Sequence, residues 1–128
     1  MSDDTAKLIR TYFGDDALWV KISELACAES PEGEAAEFTP HSDPVLDGAS
    51  IEELAEIFGS EPILYIVDEA THQGADHPIL CADPETGESF RLPISVAWYA
   101  ELNLTLGEIN FDEALAMVGE DGRFKPAP

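Results

Sequence analysis

Apolar positions recur along this chain with two periods, and those periods predict its elements. Leu8, Ile9, Arg10, Thr11, Tyr12 and Phe13 are rich in β-favouring types and read as a first strand. Gly14-Asp15-Asp16 breaks it. Leu18, Trp19, Ile22, Leu25 and Ala26 then fall at helical spacing, behind Asp15 or Asp16 as N-cap. An aspartate there also suits the positive end of the helix dipole. Residues 28–35 turn to Glu, Ser, Pro and Gly and read as a loop. A short strand is expected around Phe38, held short or at an edge by Pro40 and Pro44.

The second half repeats the alternation. After a turn at Asp47-Gly48, Ser50 with Glu53 three residues on forms a capping box. It opens a helix whose buried side is read as Ile51, Leu54, Ala55, Ile57 and Phe58, with Gly59 ending it in the left-handed position. Ile63 to Val67 is apolar on both faces and should be a central strand. Ala70 to Pro78 reads as a polar loop. Ile79–Ala82 and Ser89–Leu92 pair as an antiparallel hairpin across the Pro84/Gly87 turn. Ile94 to Glu101 is expected as a short helix, and Leu102, Leu104 and Leu106 as a strand. Asn110 caps a last helix with Phe111, Ala114, Leu115 and Val118 inward, and Gly119 stops it. The sum is an α+β fold: a single domain over residues 1–128, with a mixed sheet of about five strands and three to four helices. Residues 1–6 and 125–128 are expected to fray.

Composition changes this picture in one respect. The chain of 128 residues is 45% hydrophobic, which is ordinary, but carries a formal charge of −21. Between Ile22 and Phe90 there is no lysine or arginine, against seventeen aspartates and glutamates. Phosphate contacts need clustered cations, so direct binding of nucleic acid or of an anionic membrane is disfavoured. No apolar run approaches the roughly 20 residues of a transmembrane helix. The acidic start, Met1-Ser2-Asp3-Asp4, lacks the pattern of a signal peptide, which gives a cytoplasmic expectation. Cys27 and Cys81 are then expected as free thiols buried among apolar neighbours.

Two segments carry a resemblance. Leu8-Ile9-Arg10-Thr11-Tyr12-Phe13-Gly14-Asp15-Asp16-Ala17-Leu18-Trp19 resembles the opening "R-T-D-F-x-D-D-x-x-W" of a bacterial domain family of unknown function. Asn103-Leu104-Thr105-Leu106, Ile109 to Glu113 and Glu120 to Phe124 resemble its closing pattern. Tyr12 stands where that family more often has aspartate, which removes a carboxylate from any metal or catalytic reading. The resemblance implies one complete domain. It implies no activity, so no functional residue carries over.

The candidate chemistry is therefore read from the residues alone. Glu52, Glu53 and Glu56 occupy the outer side of one helix, as a solvated face or as an acidic ridge meeting a basic partner. Asp68, Glu69, Asp83 and Glu85 would extend that ridge. His72, Asp76 and His77 are a ligand set of the right chemistry for zinc, at a spacing that matches no strong motif, and a solvated loop is the alternative. Arg10 and Arg91 sit within strands, either as structural ion pairs or as anchors for an anionic ligand. No nucleophile motif or phosphate loop is present. The leading expectation is a non-catalytic protein that docks a basic protein partner, of the immunity, antitoxin or nucleic-acid-mimic type. A small metal-dependent enzyme or ligand binder is the second, and an acidic surface serving only solubility or salt adaptation is the third.

Overall fold

A computed structural model describes residues 6–28, 33, 38–59, 61, 63–100 and 110–125. Its centre is a mixed sheet of five strands in the order β2-β1-β3-β4-β5. They are β1 (Ala6–Arg10), β2 (Phe38–His41), β3 (Leu64–Val67), β4 (Ile79–Ala82) and β5 (Ser89–Leu92). β2 and β3 flank β1 in parallel, with Leu8 level with Tyr65 and Ile9 with Ile66. β4 and β5 return antiparallel as the expected hairpin. All four residues of β3 are buried, as suits its central place.

Side chains alternate across the sheet and build two cores. Leu8, Tyr65, Val67, Cys81 and Phe90 face α1 (Asp16–Ala26) and α5 (Phe111–Ala116), which supply Trp19, Ile22, Ala26, Phe111 and Ala114. Ile9, Leu64, Ile66 and Ala82 face α2 (Ile51–Ile57) and its flanks, which supply Leu46, Leu54 and Phe58. Each buried Val, Leu, Ile or Phe among them contributes about 1.5–3 kcal/mol, and together they offset the self-repulsion of the charge. Helices thus cover both faces of one sheet in a single compact α+β domain. Short helices α3 (Glu69–Gln73) and α4 (Ala97–Ala100) bring the helices to five among the described residues. No helix there is long and apolar enough to cross a membrane.

Several local expectations need correction. β1 begins at Ala6 and ends at Arg10, since beyond it the Thr11 amide makes a last bond to the Val67 carbonyl at 3.0 Å while the Thr11 carbonyl accepts from the Gly48 amide of a loop and not from a strand. Gly59 is not left-handed. It is needed for space instead, since a Cβ there would lie 2.7 Å from the Ala55 carbonyl oxygen. Leu25 and Ile57 are 38% and 59% exposed. Each lies roughly 100° round its helix from the centre of the buried stripe. The segment after β3 is partly helical, because Asp68 caps α3 and exchanges hydrogen bonds with Thr71. α5 ends at Ala116, ahead of Gly119, and Val118 bridges to Phe124. The strand expected at Leu102–Leu106 lies outside the described residues, as do 1–5 and 126–128. Ala6 is in β1, and the Lys125 amide donates to the Met117 carbonyl.

The C-terminal segment closes one margin of the sheet. Arg91 N donates to Gly122 O at 3.0 Å, and Phe124 N donates to Arg91 O at 2.8 Å. Phe124 is fully buried, stacked on Phe90 with ring centroids 5.5 Å apart. Gly122 turns the chain with φ 77°, a conformation open to glycine without steric cost.

Candidate functional site

The connection after β1 runs through α1 on one face, and the connection that enters β3 runs through α2 on the other. β1 therefore links outward to β2 while β3 links outward to β4. In open sheets, such a reversal leaves a crevice beyond the carboxyl ends of the two adjacent parallel strands. One exists here, with a volume of about 500 Å³, between Thr11 and Tyr12 after β1, Asp47 and Gly48 before α2, and Asp68 and Glu69 after β3. The Gly48 amide, at φ 75°, donates to the Thr11 carbonyl at 2.8 Å and pins the loop to the strand end.

Asp68 is the structural hub of this end of the molecule. Its carboxylate caps α3 through the Thr71 amide and takes a bidentate pair of 2.9 Å bonds from Arg91. Burial pushes its carboxyl upward. The hydrogen bonds and charge of Arg91, with those of Thr71, outweigh burial and hold it below the ordinary aspartate value. Arg91 thus serves as an internal ion pair. Arg10 is buried, bonds Asp16 at 2.6 Å and Ser42 at 3.3 Å, and lies 4.2 Å over the Phe13 ring.

His72, Asp76 and His77 take three separate roles. His72 is buried in α3, its Nδ1 3.0 Å from the Asp68 carbonyl, with its ring edge-on to Tyr12 at 4.7 Å. Its Nε2 is buried with no hydrogen-bond partner among the described residues. Asp76 pairs with Arg123 at 2.6 Å, and those hydrogen bonds hold its carboxyl below the ordinary value. His77 sits at φ 44° with Nδ1 3.0 Å from the Thr71 carbonyl. Among the described residues, no group of three His, Cys, Asp or Glu side chains is placed to hold a metal ion. Cys27 and Cys81 are free thiols, and burial pushes the Cys81 thiol well up.

The other acids gather elsewhere. α2 and the β4–β5 turn enclose a groove of about 490 Å³, lined by Ile51, Glu52, Ala55, Pro84, Glu85 and Thr86. A second of about 370 Å³ adjoins it through Pro84 and Glu85 and adds Asp83, Glu61 and Phe111. Glu56 lies one turn beyond Glu52 on the same helix face. Glu53 is exposed but bonds back to the Ser50 amide. Asp68 and Glu69 do not join this group and belong to the crevice. Of the chain's six lysines and arginines, Lys7 alone reaches it, paired with Glu61 at 3.2 Å. Arg10, Arg91, Arg123 and Lys125 pair with Asp16, Asp68, Asp76 and Asp121, and exposed Lys21 is on α1, across the sheet.

Reading the sequence missed Ile51, Ala55 and Pro84 as a groove floor, and Asp47 and Tyr12 as crevice walls. Only the chain path brings these segments together. The one local signal was Pro84 inside an acidic turn.

A family profile described as Domain of unknown function (DUF6924) matches residues 5–127. No match was found among curated proteins.

Proposed function

The chain belongs to the family described as Domain of unknown function (DUF6924), and from that premise we propose that it docks a basic protein partner without catalysis. One observation carries this reading. The outer face of α2 and the β4–β5 turn meet over a groove with an apolar floor, Ile51, Ala55 and Pro84, and a carboxylate rim, Glu52 and Glu85, with Glu56 exposed one turn along α2 from Glu52. An apolar floor within a charged rim is the usual anatomy of a protein interface. The rim would steer a cationic partner and the floor would hold its apolar anchor. Uncompensated carboxylates also fit partners of immunity-protein, antitoxin or nucleic-acid-mimic kind. Two free thiols agree with a reducing, cytoplasmic setting.

The test separates the groove from net charge. The wild-type chain, immobilised at low salt, should retain a basic protein from native lysate. Glu52→Gln/Glu56→Gln/Glu85→Gln should lose it. Glu24→Gln/Asp112→Asn/Glu120→Gln, equal in charge but outside the groove, should keep it. Retention of no basic protein, or equal loss from both triple variants, sinks the reading.

A further inference from the structure

The docking groove has a second hollow beside it, across the β4–β5 turn. Pro84 and Glu85 line both hollows and form the ridge between them. On one side the wall is α2, through Ile51, which packs on the core of one sheet face. On the other side it is Ile63 and Phe111, which belong to the core of the opposite face. Hollows of about 490 and 370 Å³ therefore flank the tip of the hairpin, each with apolar side chains in its wall. The ridge is held in shape by its own hydrogen bonds. Asp83 N donates to Glu88 O and Gly87 N to Asp83 O, both at 2.9 Å, and Glu85 N donates to Asp83 Oδ1 at 2.8 Å. Glu85 stands on this ridge, exposed and with no cation paired to it among the described residues.

Two apolar hollows parted by a charged ridge select among basic partners. Resting on the docking reading above, we infer that the occupant is an extended basic segment of the partner protein, with an apolar side chain in each hollow and a lysine or arginine between them at Glu85. Charge chooses the cation and its place. Glu85 is common to both hollows, whereas Glu52 belongs to one, and Glu61 in the other is already held by Lys7 at 3.2 Å. Apolar surface chooses the anchors, because Ile51, Ala55 and Pro84 on one side and Ile63 and Phe111 on the other carry no side-chain donor or acceptor. Spacing chooses the extended form. Alternate side chains of a strand point the same way, about 7 Å apart, so positions i and i+4 descend on either side of the ridge while i+2 lies over its crest. Pockets that take alternate side chains of an extended chain are a recurrent mode of peptide recognition. A turn already fixed by its own hydrogen bonds adds no ordering cost when it is gripped.

The probes are two capped peptides of one composition and charge, Ser-Phe-Ser-Arg-Ser-Phe-Ser and Ser-Phe-Phe-Arg-Ser-Ser-Ser. The second turns one phenylalanine to the far side of an extended chain. Each is titrated into the intact protein by calorimetry and followed by backbone amide ¹⁵N shifts. The first should saturate and move the amides of Glu52, Glu85 and Phe111 together, and the second should bind at least tenfold more weakly. Glu85→Gln should weaken the first peptide at least fivefold, and Glu24→Gln, exposed on α1 and outside both hollows, should change it less than twofold. Failure of the first peptide to saturate, equal binding of the two, an unmoved Phe111 amide, or equal effects of the two substitutions would overturn the proposal. The comparison of peptides uses wild-type protein, so it stands even where a variant folds poorly. Any of these results leaves the docking reading in place if the triple groove variant still loses the basic protein from lysate, so the two failures are distinct.

Discussion

Asp68 shows how much one side chain can organise. It ends β3, caps α3 and fixes Arg91 in a two-point grip. Asp68→Ala strands a half-buried guanidinium and removes the cap together, so urea denaturation should show a loss of about 3 kcal/mol. Asp68→Asn keeps the cap and should cost less. The pH dependence follows from the sign of the shift. The carboxyl is held below its ordinary value of 3.8, so its contribution is complete above that pH and is lost as pH falls through the lowered value. The stability gap between wild type and Asp68→Asn should therefore be constant near neutrality and close progressively below about pH 4. A gap that widened on acidification would contradict the pairing.

Among the elements, those signalled by local chemistry were legible from sequence. Ser50 and Glu53 do exchange both capping hydrogen bonds, at 3.1 and 3.0 Å, and Asn110 with Glu113 does the same. Ser50→Ala should lower stability by about 1 kcal/mol, read as a shift in the urea midpoint at unchanged slope. The hairpin, the central strand and the edge place of the strand holding Pro40 were equally readable, because β-propensity and turn residues act over a few positions. α3 was missed because its cap is an aspartate that also ends a strand, and its five residues are too few for a periodic signal. The two sites were legible only in fragments. Glu52 and Glu85 were singled out separately, but nothing along the chain says that α2 lies against the β4–β5 turn. His72 read as a candidate ligand because sequence cannot show that a carbonyl takes its Nδ1 and leaves Nε2 empty.

At the scale of the whole molecule, a charge of −21 works against the compact state, and salt screens it. The melting temperature should rise from low salt to about 0.5 M sodium chloride, where the Debye length falls to a few ångströms. A chain already folded and monomeric at low salt would separate this general effect from obligate salt adaptation. The ion pairs would move the other way, since screening weakens exposed pairs such as Lys125–Asp121. A melting temperature independent of salt would mean that the two effects cancel, and would remove charge repulsion as the main opponent of folding.

The pairing of Gly122 and Phe124 with Arg91 also sets a schedule for biosynthesis. A ribosome makes the hairpin some thirty residues before the segment that seals it, so a nascent β5 emerges with a bare flank. The finished sheet has to wait until that late stretch has left the exit tunnel. Transcripts cut short of it would yield sticky, protease-sensitive products rather than smaller working domains.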